Sequence, residues 1–513
     1  MQTERRGFPE DMCKAIPWVI GAKSFVYLIN FVNSIVIVRL LSTYDFGVFA
    51  FCRNMMVVLA TFCSLGLNKS ALRFIPELLA KNNISGLRRY ITKTLLLQAL
   101  AISAVFFLAL ADYRLQFLSK LFNINFRHLI IIVVFLAWVF ICKEFFYSVF
   151  TANYMAKTIA FTSVTNVSIW LMLTVIVLKS GFGVGGVLLA QLVAVLTVTF
   201  ILFHKTLSLY WKDRSASMVR QPGIGRKRVA VLSGTNIFGA VTQYVSAVGS
   251  GIFFIGYFYD PELVGYFSLG NYVSSTVLTF VPFAVISLFT AGFSESYTKD
   301  SEKLPQLINT SYKLLILAII PLSIFGVCFA DKIISIIYGS KMLIAGVISR
   351  ILFGVYLLGF VSVPLSMALT AKEKVQEMIP YQIVQVTLQV SLNFVLIKYF
   401  GWTGAVAAII LTFLITMPFI LNKVRRIIGG IYFPAMFLFK VFLAHSFVLL
   451  LLPFREMVHS IWPLVILGFM FSVLWIGSMR LFRIVKWEDV KKFYGEVNNK
   501  YVLMVLKLFI REM

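Results

Sequence analysis

Long apolar runs broken by short polar turns fill nearly the whole 513-residue chain. The runs fall near 15–38, 46–66, 92–111, 128–150, 158–179, 183–203, 229–257, 264–290, 311–329, 343–368, 378–398, 404–421, 434–453 and 460–479. Most hold about 20 residues, enough for a helix to cross about 30 Å of hydrocarbon. The pattern predicts an all-α polytopic membrane protein with about fourteen transmembrane helices. Composition agrees: 60% of residues are hydrophobic and 13% charged, against about 45–50% and 25% in soluble domains. The first run is too long for the apolar core of a signal peptide and carries Lys23, Asn30 and Asn33, so it reads as span one. No connection is long enough to hold a soluble domain.

Charge then sets an orientation. In or beside the loops on the side of both termini lie 34 Lys and Arg, against 9 on the opposite side, which predicts cytoplasmic termini. A net charge of +26 would also suit a nucleic-acid binder. The positives are spread over short inter-span loops instead of gathered on one surface, which topology alone produces, so nucleic acid is not an expected partner. The five cysteines (Cys13, Cys52, Cys63, Cys142, Cys328) lie near the start or in apolar runs and imply no disulfide framework.

The pattern also repeats. "LSTYDFGVFAF" (41–51) and "YDPELVGYFSL" (259–269) align at an offset of 218, with Gly47 over Gly265 and Phe49 over Phe267. At that offset Gly21 and Ala22 meet Gly239 and Ala240, Glu77 meets Glu295 and Lys81 meets Lys299. "GVGGVLLA" (183–190) lies over "GWTGAVAA" (401–408), and one residue further on Asp112 pairs with Asp331. Six spans per copy is an even number, so both copies run the same way through the bilayer, as a parallel repeat. The expected organisation is two pseudo-symmetric six-helix lobes, 1–204 and 229–425, joined by a basic linker at 205–228. Two further helices (426–480) and a cytoplasmic tail (481–513) follow.

Polar side chains within spans are costly and mark cavities or partners. At 100° per residue, Lys23, Tyr27, Asn30 and Ser34 share one stripe of span one; Arg53, Thr61, Ser64 and Asn68 share one of span two. Span seven carries Asn236, Gln243, Ser246 and Ser250, and span eight carries Ser268, Asn271, Ser275 and Thr279. These spans are equivalent in the two copies and are expected to wall an aqueous, basic cavity. Lys23, Tyr27, Asn30, Arg53, Asn236, Gln243 and Asn271 are the candidate substrate contacts. The competing reading is that the neutral groups are hydrogen-bonding glue between helices. For Lys23 and Arg53, with no acid at mid-span, anion binding is the stronger reading. Lys143, Glu144 and Arg350 are secondary candidates, open to mutual pairing or to snorkelling. The chain has no phosphate-binding loop of the ATPase kind and no metal-ligand spacing, and its four histidines are scattered. No cofactor, metal or catalytic residue is expected.

"RLLSTYDFGVFAFCRNMMVVLATFCSLGLNKSALRFIPEL" (39–78) resembles the opening hairpin of the Wzx-type polysaccharide flippases. Those belong to the multidrug/oligosaccharidyl-lipid/polysaccharide exporter superfamily, which also holds lipid II flippases. "LNFVLIKYFGWTGAVAAIILTFL" (392–414) is similar to the family's segment between helices eleven and twelve, and "VKWEDVKKF" (485–493) resembles its charged close. The resemblance implies two lobes in a V, with spans one, two, seven and eight lining the cavity and Lys23 and Arg53 at the family's basic positions. It implies a polyprenyl-pyrophosphate-linked oligosaccharide moved from the cytoplasmic to the outer leaflet of a bacterial inner membrane, for O-antigen or other surface polysaccharide. Membrane lipids are expected partners and a glycan polymerase a candidate one. The extra spans thirteen and fourteen would offer a groove for the lipid tail. Span seven departs from the pattern in having no ionised residue, so the second lobe supplies neutral groups only. The alternatives are a lipid II-type flippase, a multidrug extruder of the same superfamily, and a membrane glycan polymerase.

Overall fold

The computed structural model describes residues 8–115, 120, 122, 128–211, 224–246, 249–279, 304–372, 374–428, 433–482 and 484. All regular structure among them is helical. The chain divides into two compact units, Met1–Gly265 and Tyr266–Met513.

The first unit begins with α1 (Phe8–Leu40), α2 (Thr43–Cys63), α3 (Leu67–Ala80) and α4 (Ile84–Leu115). The acidic turn between α1 and α2 is a helix start. Ser42 Oγ accepts the Asp45 N–H at 3.0 Å and donates to Asp45 Oδ2 at 2.7 Å. This satisfies an orphan donor and sets an acid at the positive end of the helix dipole. There follow α5 (Ile130–Ala152), α6 (Ala156–Lys179), α7 (Gly183–Tyr210), α8 (Arg226–Ser246), α9 (Gly249–Phe258) and the first turn of α10 (261–279). The core gathers Phe74 and Ile75 of α3, Phe145, Phe146 and Phe150 of α5 and Leu202 of α7. α1 lies at the edge of this bundle and packs chiefly on α6.

The second unit holds the rest of α10, then α11 (Leu304–Tyr338), α12 (Leu343–Gly359), α13 (Ser362–Ala371) and α14 (Ile379–Ile428). Two short helices, α15 (Ala435–Ala444) and α16 (Val448–Leu451), precede α17 (Ile461–Leu481). α11 and α12 are pressed together: a Cβ on Gly326 would lie 2.3 Å from the Phe353 ring and one on Gly346 would lie 2.6 Å from Asp331 Cα.

Eleven helices among the described residues are long and apolar enough to cross a membrane, and α8 with α9, bent by 57°, adds a twelfth. The list differs from the expected fourteen at two places. Gln376–Ile428 counts once, and the span at 264–290 passes out of the described residues after 279. At 1.5 Å per residue, 50 straight residues would reach about 75 Å, far more than one bilayer. α14 instead breaks at Gly401, where φ is 59° and ψ −136°.

That break exposes the repeat at the level of backbone angles. Gly183, the partner of Gly401 in the alignment, also has φ 59°. Three residues on, both copies have no room for a side chain. A Cβ on Gly186 would lie 2.1 Å from Val177 Cγ1, and one on Gly404 would lie 2.2 Å from the Leu396 carbonyl oxygen. The linker centre (212–223), Glu295, Lys299 and the charged close at 485–493 lie outside the described residues.

Candidate functional site

The two candidate cations fall on the first two helices. Lys23 of α1 is exposed, with Tyr27 and Asn30 half-buried on the turns above it. One residue off that stripe, Asn33 is 1% exposed and neither of its amide atoms has a hydrogen-bond partner. Ser34 is spent on the Phe31 carbonyl. Arg53 of α2 is exposed, and its guanidinium carbon lies 5.4 Å from the ring centroid of Trp170 on α6. Arg53 is ten residues into α2 and Trp170 nine residues from the end of α6, so both sit about 15 Å from the same end of the bundle. Trp170 itself is 6% exposed, and its indole N–H has no partner. A guanidinium over an indole face is a cation–π pair, a contact that suits a permanent charge inside an apolar layer.

The neutral stripes behave differently. Asn236 of α8 donates to Ser70 Oγ of α3 at 3.0 Å, and Ser70 Oγ lies 2.9 Å from Ser233 Oγ. Gln98 of α4 donates to Asn68 Oδ1 at 2.7 Å and to the Ser64 carbonyl at 3.1 Å. Asn271 belongs to the second unit, where its Oδ1 accepts the Tyr356 hydroxyl. Gln243 is exposed on α8. Asn236, Asn68 and Asn271 thus act as glue between packed helices, while the Ser64 hydroxyl turns back to the Thr61 carbonyl and Lys23, Arg53 and Gln243 keep exposed side chains.

The secondary candidates resolve locally. Lys143 is buried in α5 and pairs with Glu144 at 3.2 Å, with the rings of Phe140 and Tyr147 at 4.4 and 5.5 Å. Arg350 donates to the Val327 carbonyl at 2.9 Å and stands 3.8 Å from Asp331 Oδ2. Asp331 also accepts Arg455, from the turn that joins α16 to α17. This acid was visible in the repeat as the partner of Asp112, but nothing in the sequence announced Arg455.

Three further contacts lay outside sequence reasoning. Trp170 beneath Arg53 is one. At mid-helix, Asn54 of α2 donates to the Gly249 carbonyl at 3.2 Å, and the Tyr244 hydroxyl donates to Asn54 Oδ1 at 3.1 Å. At the basic end, Glu77 of α3 bridges Arg228 of α8 and Lys81, both at 2.9 Å. Those two cations hold its carboxyl down at about 2. Among the described residues no cluster of His, Cys, Asp and Glu could hold a metal ion.

Comparison with known proteins gives this geometry a frame. A family model described as polysaccharide biosynthesis protein matches residues 12–289. A probable low-salt glycan biosynthesis flippase of Haloferax volcanii is 28% identical over 182 residues; the match takes in 33% of this chain and 37% of that protein's length. Among solved structures, the lipid II flippase MurJ in an inward closed conformation superposes with a TM-score of 0.67 at 14% identity, over 94% of this chain and 100% of that one. A multidrug resistance MATE family transporter of the MOP superfamily, inward-facing, superposes at 0.64 and 14% identity, over 78% of this chain and 95% of that one. At such identities the likeness is one of fold.

Proposed function

This chain belongs to the polysaccharide biosynthesis protein family, and from that premise we propose that it is a flippase and not an enzyme. Its cargo is an oligosaccharide joined through pyrophosphate to a polyprenyl lipid, carried from the cytoplasmic to the outer leaflet. The glycan relative from Haloferax volcanii supports this cargo class. The basic end of the spans faces the cytoplasm in this reading, which the distribution of Lys and Arg supports.

The observation that carries the reading is Arg53, a permanent cation ten residues inside a 21-residue apolar helix, with its side chain exposed. Charge at that depth costs roughly 2.5–3.5 kcal/mol on insertion scales and marks a functional position, and an anionic pyrophosphate is a cargo group that a cation there can bind. Lys23, Tyr27, Asn30 and Gln243 complete the contacts, and the neutral amide Asn236 holds α8 against α3. The glycan head rides in the wet interior while the polyprenyl tail stays in lipid, and rocking of the two repeats exchanges access. A glycan polymerase is the natural downstream partner. The lipid II-type reading shares this chemistry and the MurJ fold; a multidrug extruder of cations would favour a buried acid in span one or span seven, and neither holds one.

The test is leaflet exchange of a fluorescent polyprenyl-pyrophosphate glycan in proteoliposomes. Charge-assisted hydrogen bonds are worth about 1.5–3 kcal/mol, so Lys23→Gln or Arg53→Gln should each slow exchange by roughly tenfold to a hundredfold. Unchanged exchange overturns the site, and glycan lengthening by the wild type overturns the flippase.

A further inference from the structure

One arginine of the second unit stands on a face built for lipid. Leu343, Val347 and Ile351 recur four residues apart on α12, which places them on one side of the helix, and all three are exposed. Arg350 lies in that stripe and is partly exposed. Its Nε donates at 2.9 Å to the carbonyl of Val327, itself exposed on α11. Arg350 is seven residues from the start of α12 and Asp331 seven from the end of α11, so both lie about 10 Å from the turn between those helices. The span that ends at Tyr338 has 31 residues. It is about 46 Å long, against about 30 Å of hydrocarbon, which leaves about 8 Å to project at each end. Arg350 and Asp331 therefore sit where acyl chains give way to headgroups.

A second arginine joins it. Arg455 belongs to the Leu452–Met457 turn, between the exposed side chains of Phe454 and Met457. It donates to Asp331 Oδ2, and Arg350 Nη1 stands 3.8 Å from the same oxygen. Asp331 Oδ1 is buried without a partner, and so is Arg455 Nε. Two cations against one acid leave one positive charge, while the neighbouring Lys332–Glu456 pair cancels itself. A guanidinium is a fork of five N–H donors suited to two oxygens side by side; here two forks share one oxygen. We infer that Arg350 and Arg455 hold the phosphodiester of a membrane phospholipid, whose acyl chains lie along Val327, Val347 and Ile351. In the orientation proposed above it is a lipid of the outer leaflet. Phosphate is the anion that the headgroup layer supplies at this depth, and its single negative charge answers the single excess cation. The lipid so bound ties α12 to the turn between the last two spans. This inference does not depend on what the protein carries.

The test titrates the full-length protein, stripped of lipid in detergent, with phosphatidylglycerol, phosphatidylcholine or inorganic phosphate. Native mass spectrometry reads occupancy and thermal unfolding reads stability. Phosphatidylglycerol should leave one tightly held copy per chain and raise the unfolding temperature, as a ligand of the folded state does. Phosphatidylcholine, whose phosphate brings its own cation, should bind more weakly. Arg350→Gln should weaken phosphatidylglycerol by roughly tenfold to a hundredfold, the worth of charge-assisted hydrogen bonds, and remove the thermal shift. Lys179→Gln, which deletes an exposed cation at the end of α6, should change neither. Arg455→Gln should act like Arg350→Gln. If it fails to fold, Arg350→Lys, which keeps the charge and loses the fork, should fall between wild type and Arg350→Gln. Equal binding of phosphatidylglycerol by wild type and Arg350→Gln overturns the site, and equal binding of the two lipids overturns the charge match. Inorganic phosphate that displaces phosphatidylglycerol at equal concentration would make this a site for the free anion and overturn the lipid.

Discussion

Trp170 holds Arg53 by its face and is itself 6% exposed, so its removal should be felt twice. Trp170→Ala deletes a buried aromatic, about 3–5 kcal/mol in a packed core, and frees the guanidinium. Trp170→Phe keeps a ring and most of the packing. Thermal unfolding in detergent should therefore rank wild type above Trp170→Phe and Trp170→Phe well above Trp170→Ala. Glu77 offers a pH signature. Its folded carboxyl sits at about 2, below its ordinary 4.5, so the pair with Arg228 and Lys81 stabilises the fold above the ordinary value and fades as pH falls through the folded one. The stability gap between wild type and Glu77→Gln should stay level from neutral pH down to about 5 and close toward about 2. No gap anywhere from neutral pH to about 5 would mean the pair does not form. Lys23 and Arg53 were legible in the sequence because a charge in an apolar run stands out by itself. Trp170 was not: in a chain with 15% aromatic residues, only a neighbouring helix tells a stacking partner from lipid-facing bulk.

Helices show the repeat more plainly than residues do. Gly183 and Gly401 turn two pairs of spans through the same positive φ, which L side chains adopt only under strain of about 1–3 kcal/mol. Gly183→Ala and Gly401→Ala should each lower stability by that order, measured by denaturant unfolding, and similarly in the two copies. The copies differ at the acid. Asp331 is buried against Arg350 and Arg455, whereas Asp112 is only half-buried at the end of α4. In the second copy the acid anchors the α16–α17 turn, which the first copy lacks. Breaking a buried pair leaves charges uncompensated, at up to about 3–5 kcal/mol, less here because Arg455 is partly exposed. Asp331→Asn should loosen that turn and make the 454–460 segment cleavable by protease while α1–α7 stay resistant; equal resistance throughout would refute the anchor. Sequence periodicity foresaw the polar stripes but not their partners. Asn236 and Gln243 lie on one stripe, yet one is bonded to Ser70 and the other is exposed, because a stripe has an angle and no knowledge of which helix faces it.

Taken whole, the chain has a multi-pass membrane fold whose class and repeat could be read directly from spacing, since bilayer thickness and helix rise leave little freedom. Pairings between distant spans could not, because they depend on which helices the fold brings side by side. The seam of α2 and α3 with α8 and α9 has a consequence for how the protein is made. Asn54 and Ser70 are translated long before Gly249 and Ser233 exist. At about 5–20 residues per second, roughly ten to forty seconds pass before those partners emerge. During that interval the Asn54 amide of a newborn first repeat lacks the Gly249 carbonyl and Tyr244 hydroxyl that it meets in the fold, an arrangement hydrocarbon penalises. That interval favours keeping the first repeat beside the translocation machinery until the opening helices of the second repeat arrive to cover this edge.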